Sequence, residues 1–125
     1  MKSVGTESSY PLSPMQQGIL FHSLYEQQSG LYIQQLLCAI HDELNVTAFV
    51  RAWKQLLDRH PTLRTSFHLD SVRGPVQEVH DKVDLLFEQQ DWRDLDRHEQ
   101  EARLAAYLLA DRQRALKFDE APLMR

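Results

Sequence analysis

Six histidines, His22, His41, His60, His68, His80 and His98, are the side chains best suited to move protons or hold a metal in this chain. No two are adjacent, and none forms the H-x-x-x-H pair that sets two imidazoles on one helix face. No metal site is expected from that spacing. A Ser-His-Asp set can be drawn from Ser66, His60 and Asp58, but only nearness in sequence supports it. His80 with Asp81, and His98 with Glu99, are neighbours that point apart on any regular element. The lone cysteine, Cys38, lies in the apolar run Leu36-Leu37-Cys38-Ala39-Ile40 and is expected to be a small buried hydrophobe rather than a nucleophile. No catalytic residue is assigned. The polar residues that stand out are His60 and Arg64, within Arg59-His60-Pro61-Thr62-Leu63-Arg64-Thr65-Ser66-Phe67.

The elements that must position these residues can be read from caps and periodicity. Ser13, Pro14 and Gln16 form a helix start with a capping box, and the helix runs to about Glu26. Its apolar residues point several ways, so it should be buried on most sides, against a sheet and against something further. His22 shares an angular position with Met15 and Ile19. It is expected in a core or an interface, with a channel-lining place as the alternative. Leu31 to Ile40 is apolar on both alternating sets and predicts an interior strand. Asn45 caps a second helix, amphipathic through Phe49, Trp53, Leu56 and Leu57, that ends near His60 because Pro61 disfavours helical geometry before it. Strands are expected over 65–69 and 76–80, with a turn between them at Gly74-Pro75, and a third, edge strand over 85–89. A third helix spans about Asp96 to Leu116, and Leu123-Met124 begins a further strand. Residues 1–9 are polar and read as a flexible tail. The fold class is α+β, about three helices on a short mixed or antiparallel sheet.

A chain of 125 residues fits one domain. Its formal charge of −4, with Lys and Arg scattered among acids, argues against a nucleic-acid or membrane-surface partner. The first residues lack the apolar core of a signal peptide, and no apolar run approaches a transmembrane span. The expected location is cytoplasmic.

Two runs carry a resemblance. Tyr10 to Leu24 contains Ser13, Gln16 and Phe21, and Arg59 to Phe67 contains Arg59, His60, Leu63, Arg64, Thr65 and Phe67. In this order they resemble the first two motifs of the condensation domain of nonribosomal peptide synthetases. The run Phe118-Asp119-Glu120-Ala121-Pro122-Leu123 also resembles the stretch before that family's catalytic loop. The resemblance implies the fold of chloramphenicol acetyltransferase, two lobes in a V with the reaction channel between them. It implies that residues 10–125 are the first portion of the N-terminal lobe.

The family joins a donor acyl group to an acceptor amine, both carried as thioesters on phosphopantetheine arms. Its signature H-H-x-x-x-D-G is absent from these 125 residues, so the chain alone is expected to be inactive. No cofactor is expected to bind directly. The partners implied are the upstream and downstream carrier domains, an adjoining adenylation domain and the rest of the condensation domain. Arg64, with His60, is expected to support the catalytic loop, Arg64 as a buried or half-buried strut on carbonyls or a carboxylate with its partner lying beyond Arg125; direct substrate contact is the alternative. Self-association of the isolated chain is expected through the unpaired final strand. Two alternatives are a complete, non-catalytic α+β docking module and an epimerisation or cyclisation relative.

Overall fold

A computed structural model describes residues 5–26, 31–69, 72 and 74–125. Seven elements follow in chain order: β1 (Thr6–Pro11), α1 (Pro14–Tyr25), α2 (Val46–Arg59), a 3-10 turn (Pro61–Arg64), β2 (Thr65–His68), β3 (Val76–His80) and α3 (Arg97–Gln113). The three strands form one antiparallel sheet in the order β1-β3-β2. This is the α+β class expected.

The helix boundaries follow from local chemistry. Ser13 Oγ accepts the Gln16 amide while the Gln16 side chain accepts the Ser13 amide, which closes the capping box of α1. Asn45 Oδ1 accepts the Ala48 amide and starts α2, which passes into the 3-10 turn at His60-Pro61. Asp96 and Glu99 make a second capping box on α3. Gly74 takes φ +91° in the β2–β3 connection, a conformation that residues with a Cβ rarely adopt. Asp70, Ser71 and Arg73 of that expected turn lie outside the described residues.

An amide pair joins the sheet to α1. Gln16 on α1 and Gln77 on β3 exchange side-chain hydrogen bonds at 3.3 and 3.1 Å, and Gln77 Nε2 also donates to the Pro11 carbonyl. Among the described residues, the buried core includes Leu12, Leu20, Leu57 and Val79, drawn from the residue after β1, both first helices and the central strand. Much apolar surface stays outside this small core. Met15, Phe21 and Tyr25 on α1 are exposed, so the expectation of burial on most sides of that helix is not met within this structure.

Several further expectations are corrected. Thr6 to Ser9 belong to β1 rather than to a flexible tail, because β3 supplies an antiparallel partner through Thr6↔His80, Ser8↔Val79 and Ser9↔Glu78, with a register shift between Thr6 and Ser8. Met1 to Val4 lie outside the described residues. Leu31 to Ile40 is not a strand. Tyr32 sits at φ 63°, off the extended region, and Gln35 binds α3 by donating to the Leu108 carbonyl and to Asp111. Cys38 is exposed accordingly. Leu85 to Gln89 is likewise no strand, and Phe87 packs its ring against Phe49 of α2, centroids 6.4 Å apart. Leu123-Met124 begins no strand either, so the strand expected to drive self-association does not form. The outer edge of β2 instead hydrogen-bonds the C-terminal segment, Phe67 N–H donating to the Phe118 carbonyl at 2.6 Å.

Candidate functional site

Arg64 ends the 3-10 turn and enters the sheet at β2, where it is 5% exposed. A buried guanidinium must have its donors filled. Nη1 donates to the carbonyls of Leu57 and Asp58, at 2.8 and 2.6 Å. Those carbonyls belong to the last turn of α2, which has no further helical amides to offer them. Nε donates to the His80 carbonyl at the end of β3, at 2.8 Å. Nη2 meets the Glu7 carboxylate on β1 at 2.9 Å. One side chain thus ties α2, β3 and β1 together, and its positive charge faces the negative end of the α2 dipole. The partner expected beyond Arg125 is therefore replaced by groups within the chain. The fork geometry explains why: a planar guanidinium aims its donors at several acceptors at once, and the hairpin brings them within reach.

His60 is exposed and acts through its backbone. Its amide donates to the Leu56 carbonyl, and its carbonyl accepts the Leu63 amide, both at 3.0 Å, which joins α2 to the 3-10 turn. His22 is also exposed, with its ring edge-on to Phe21 at 5.9 Å. His60 and Arg64 thus share one helix–strand junction, and His22 lies apart on α1. The hypothetical Ser66-His60-Asp58 set is not assembled: Ser66 Oγ pairs with other histidines, and the Asp58 carbonyl serves Arg64.

Those other histidines form a cluster that helical spacing does not reveal. Register pairs Ser66 with Glu78 and Thr65 with Val79. Side chains alternate along each strand, so Ser66, His68, Glu78 and His80 share one face of the hairpin. Ser66 is fully buried, and its Oγ lies 2.9 Å from His68 Nε2 and 2.7 Å from His80 Nε2. Glu78 Oε2 lies 3.4 Å from the same His68 Nε2. The signal available in sequence was the i, i+2 spacing on two strands expected to pair.

A second polar group closes the C-terminal side. Asp111 on α3 accepts from Gln35, Arg114 and Arg125, with Arg125 nearest at 2.6 Å. Burial pushes the Asp111 carboxyl up, yet these donors and cations, Arg125 foremost, hold it below the ordinary carboxylate value.

Comparison with known proteins adds the following. A family model described as the condensation domain matches residues 6–125. The chain is 47% identical over 119 residues to a linear gramicidin synthase polypeptide of Brevibacillus parabrevis, covering 95% of this chain and 2% of that protein. It is 35% identical over 121 residues to a mycosubtilin synthase polypeptide of Bacillus subtilis, covering 95% of this chain and 5% of that protein. A solved structure of a mutant starter condensation domain of the rhizomide synthetase RzmA superposes with a TM-score of 0.62 at 22% identity. That match covers 93% of this chain and 27% of the solved one. Among the described residues, no helix is long and apolar enough to cross a membrane.

Proposed function

Since the chain belongs to the condensation-domain family of nonribosomal peptide synthetases, we propose that it builds the N-terminal part of a lobe whose complete domain forms amide bonds between carrier-bound groups. The observation that carries this is the family match running from residue 6 to residue 125. In this reading the chain supplies scaffold and no proton-transfer group. Amide formation from a thioester needs an amine, a group that accepts or orients its proton, and stabilisation of a tetrahedral oxyanion. Those groups would come from the rest of the domain.

Arg64 has a definite task in this reading. It fixes the end of α2 against β3 and β1, and so holds in register the sheet from which the catalytic loop would extend. His60 shapes the same junction through its backbone, and the exposed His22 would be free to meet a second lobe. Donor and acceptor arrive on phosphopantetheine arms of carrier domains, with an adenylation domain alongside, in a cytoplasmic assembly.

A chimaera tests the proposal. The segment of the linear gramicidin synthase that matches this chain is replaced by residues 6–125, and amide formation is followed with loaded carriers. Retained product formation is expected. A folded chimaera that binds both carriers and makes no product refutes the reading.

A further inference from the structure

We propose that His68, Glu78 and His80 form a binding site for a borderline divalent metal ion, zinc or one of its close neighbours, on one face of the β2–β3 hairpin. One ligand atom from each residue lies within 4.8 Å of the other two. Tetrahedral zinc with bonds of about 2.0–2.1 Å sets neighbouring donor atoms roughly 3.4 Å apart. His68 Nε2 and Glu78 Oε2 already stand 3.4 Å apart. His80 Nε2 is brought to the same place by Ser66, whose hydroxyl touches both imidazoles at 2.9 and 2.7 Å. The donor set is two imidazoles and a carboxylate, which suits zinc and its borderline neighbours better than magnesium or calcium. Three protein ligands leave one tetrahedral position for water or for the Ser66 hydroxyl.

Backbone placement makes the site rigid. All three ligands stand on paired strands, with Glu78 directly opposite Ser66 in the ladder. Strand-borne ligands are held more closely than ligands on loops. His68, Glu78 and His80 are each half-buried, so an ion can enter from solvent.

An ion bound at the two Nε2 atoms would rearrange the hydrogen bonding of the cluster. Among the described residues, His80 Nδ1 is a buried side-chain nitrogen with no partner. Ser66 has one hydroxyl proton to share between two rings, so it donates to one Nε2 and accepts from the other. An ion would take both Nε2 lone pairs, place both ring protons on Nδ1, and displace the Ser66 hydroxyl from both rings. A catalytic relay is a poorer account of the same residues. Glu78 faces the nitrogen of His68 that already faces Ser66, whereas a relay needs the acid on the opposite ring nitrogen.

The test is titration of the protein with zinc chloride by calorimetry, and with cobalt(II) by visible absorption. One ion per chain is expected, with the intense d–d bands of a tetrahedral cobalt site and a raised melting temperature. His68→Ala and His80→Ala should each weaken zinc binding by at least about tenfold, and Glu78→Gln by a similar factor. His98→Ala, an exposed histidine on α3, should leave it unchanged. Folding of each variant is followed by far-UV circular dichroism. If either alanine variant unfolds, Glu78→Gln decides the matter, because it keeps the shape of the side chain and removes its charge. Absence of stoichiometric binding by the folded protein overturns the proposal. So does zinc affinity that Glu78→Gln leaves intact, or that His98→Ala lowers as much as the ligand variants do.

Discussion

Replacing Arg64 with alanine should remove most of what holds α2 to the sheet. The side chain donates to three backbone carbonyls and one carboxylate. A hydrogen bond to a charged group contributes about 1.5–3 kcal/mol. The four do not simply add. Glu7 is half exposed, and an ion pair of that kind is worth at most about 1 kcal/mol. Water can reach the partly buried Asp58 and His80 carbonyls once the guanidinium is gone. The Leu57 carbonyl cannot be served so easily, because that residue is 1% exposed. The expected loss is therefore about 3–5 kcal/mol, as for breaking other buried charged networks. Against a total of roughly 5–15 kcal/mol, this is severe. In urea, with a slope of about 2 kcal/mol per molar, the midpoint should fall by roughly 2 M. Arg64→Lys should recover less than half, since one ammonium cannot span the end of α2 and the end of β3 together. Glu7→Gln should cost less than about 1 kcal/mol. A midpoint shift below about 0.3 M for Arg64→Ala would refute the strut.

Two further outcomes can be checked. The Asp111 carboxyl is held low in the folded chain, so its stabilising contribution is complete above the unfolded value of about 3.9 and is lost as pH falls through the lower folded value. Chemical denaturation of wild type and Asp111→Asn across this range should show their stability difference shrinking toward acid, and a constant difference would contradict the assignment. Phe21 on α1 is 66% exposed, so Phe21→Ser should change the stability of this chain by less than about 0.5 kcal/mol. In the gramicidin synthase chimaera the same change should cost more than about 1.5 kcal/mol if a second lobe covers that face, read from thermal unfolding of both proteins.

The helices were legible because their signals are local. Ser13 and Gln16, Asn45, and Asp96 with Glu99 each write a helix start into four residues. The β2–β3 hairpin was legible from alternation and from Gly74. β1 was not, because Thr6-Glu7-Ser8-Ser9 is polar, and only pairing with β3 makes a strand of it. Leu31 to Ile40 failed in the opposite sense. Its apolar alternation suggests a strand, but a strand also needs a neighbour, and here Gln35 binds α3 instead. The acceptors of Arg64 are of the same non-local kind. Glu7 is 57 residues away in sequence and reaches the guanidinium only through a strand whose composition conceals it.

This division bears on how the sheet and the exposed face of α1 relate to the family. Among the described residues most polar demands are met inside the chain, His80 Nδ1 excepted: the Arg64 guanidinium, the end of α2 and the amides of Gln16 and Gln77 all find partners here. Apolar demands are not. Leu36 is 92% exposed and Tyr25 81%, while the buried core among the described residues is small, resting chiefly on Leu12, Leu20, Leu57 and Val79. Buried polar groups must be paired locally, because an unpaired one costs more than folding can spare. Apolar surface carries no such geometric condition and can wait for any complementary face. A scaffold that satisfies its hydrogen bonds first and leaves its hydrophobic faces open is therefore able to hold its strand register before the rest of a larger domain closes over it.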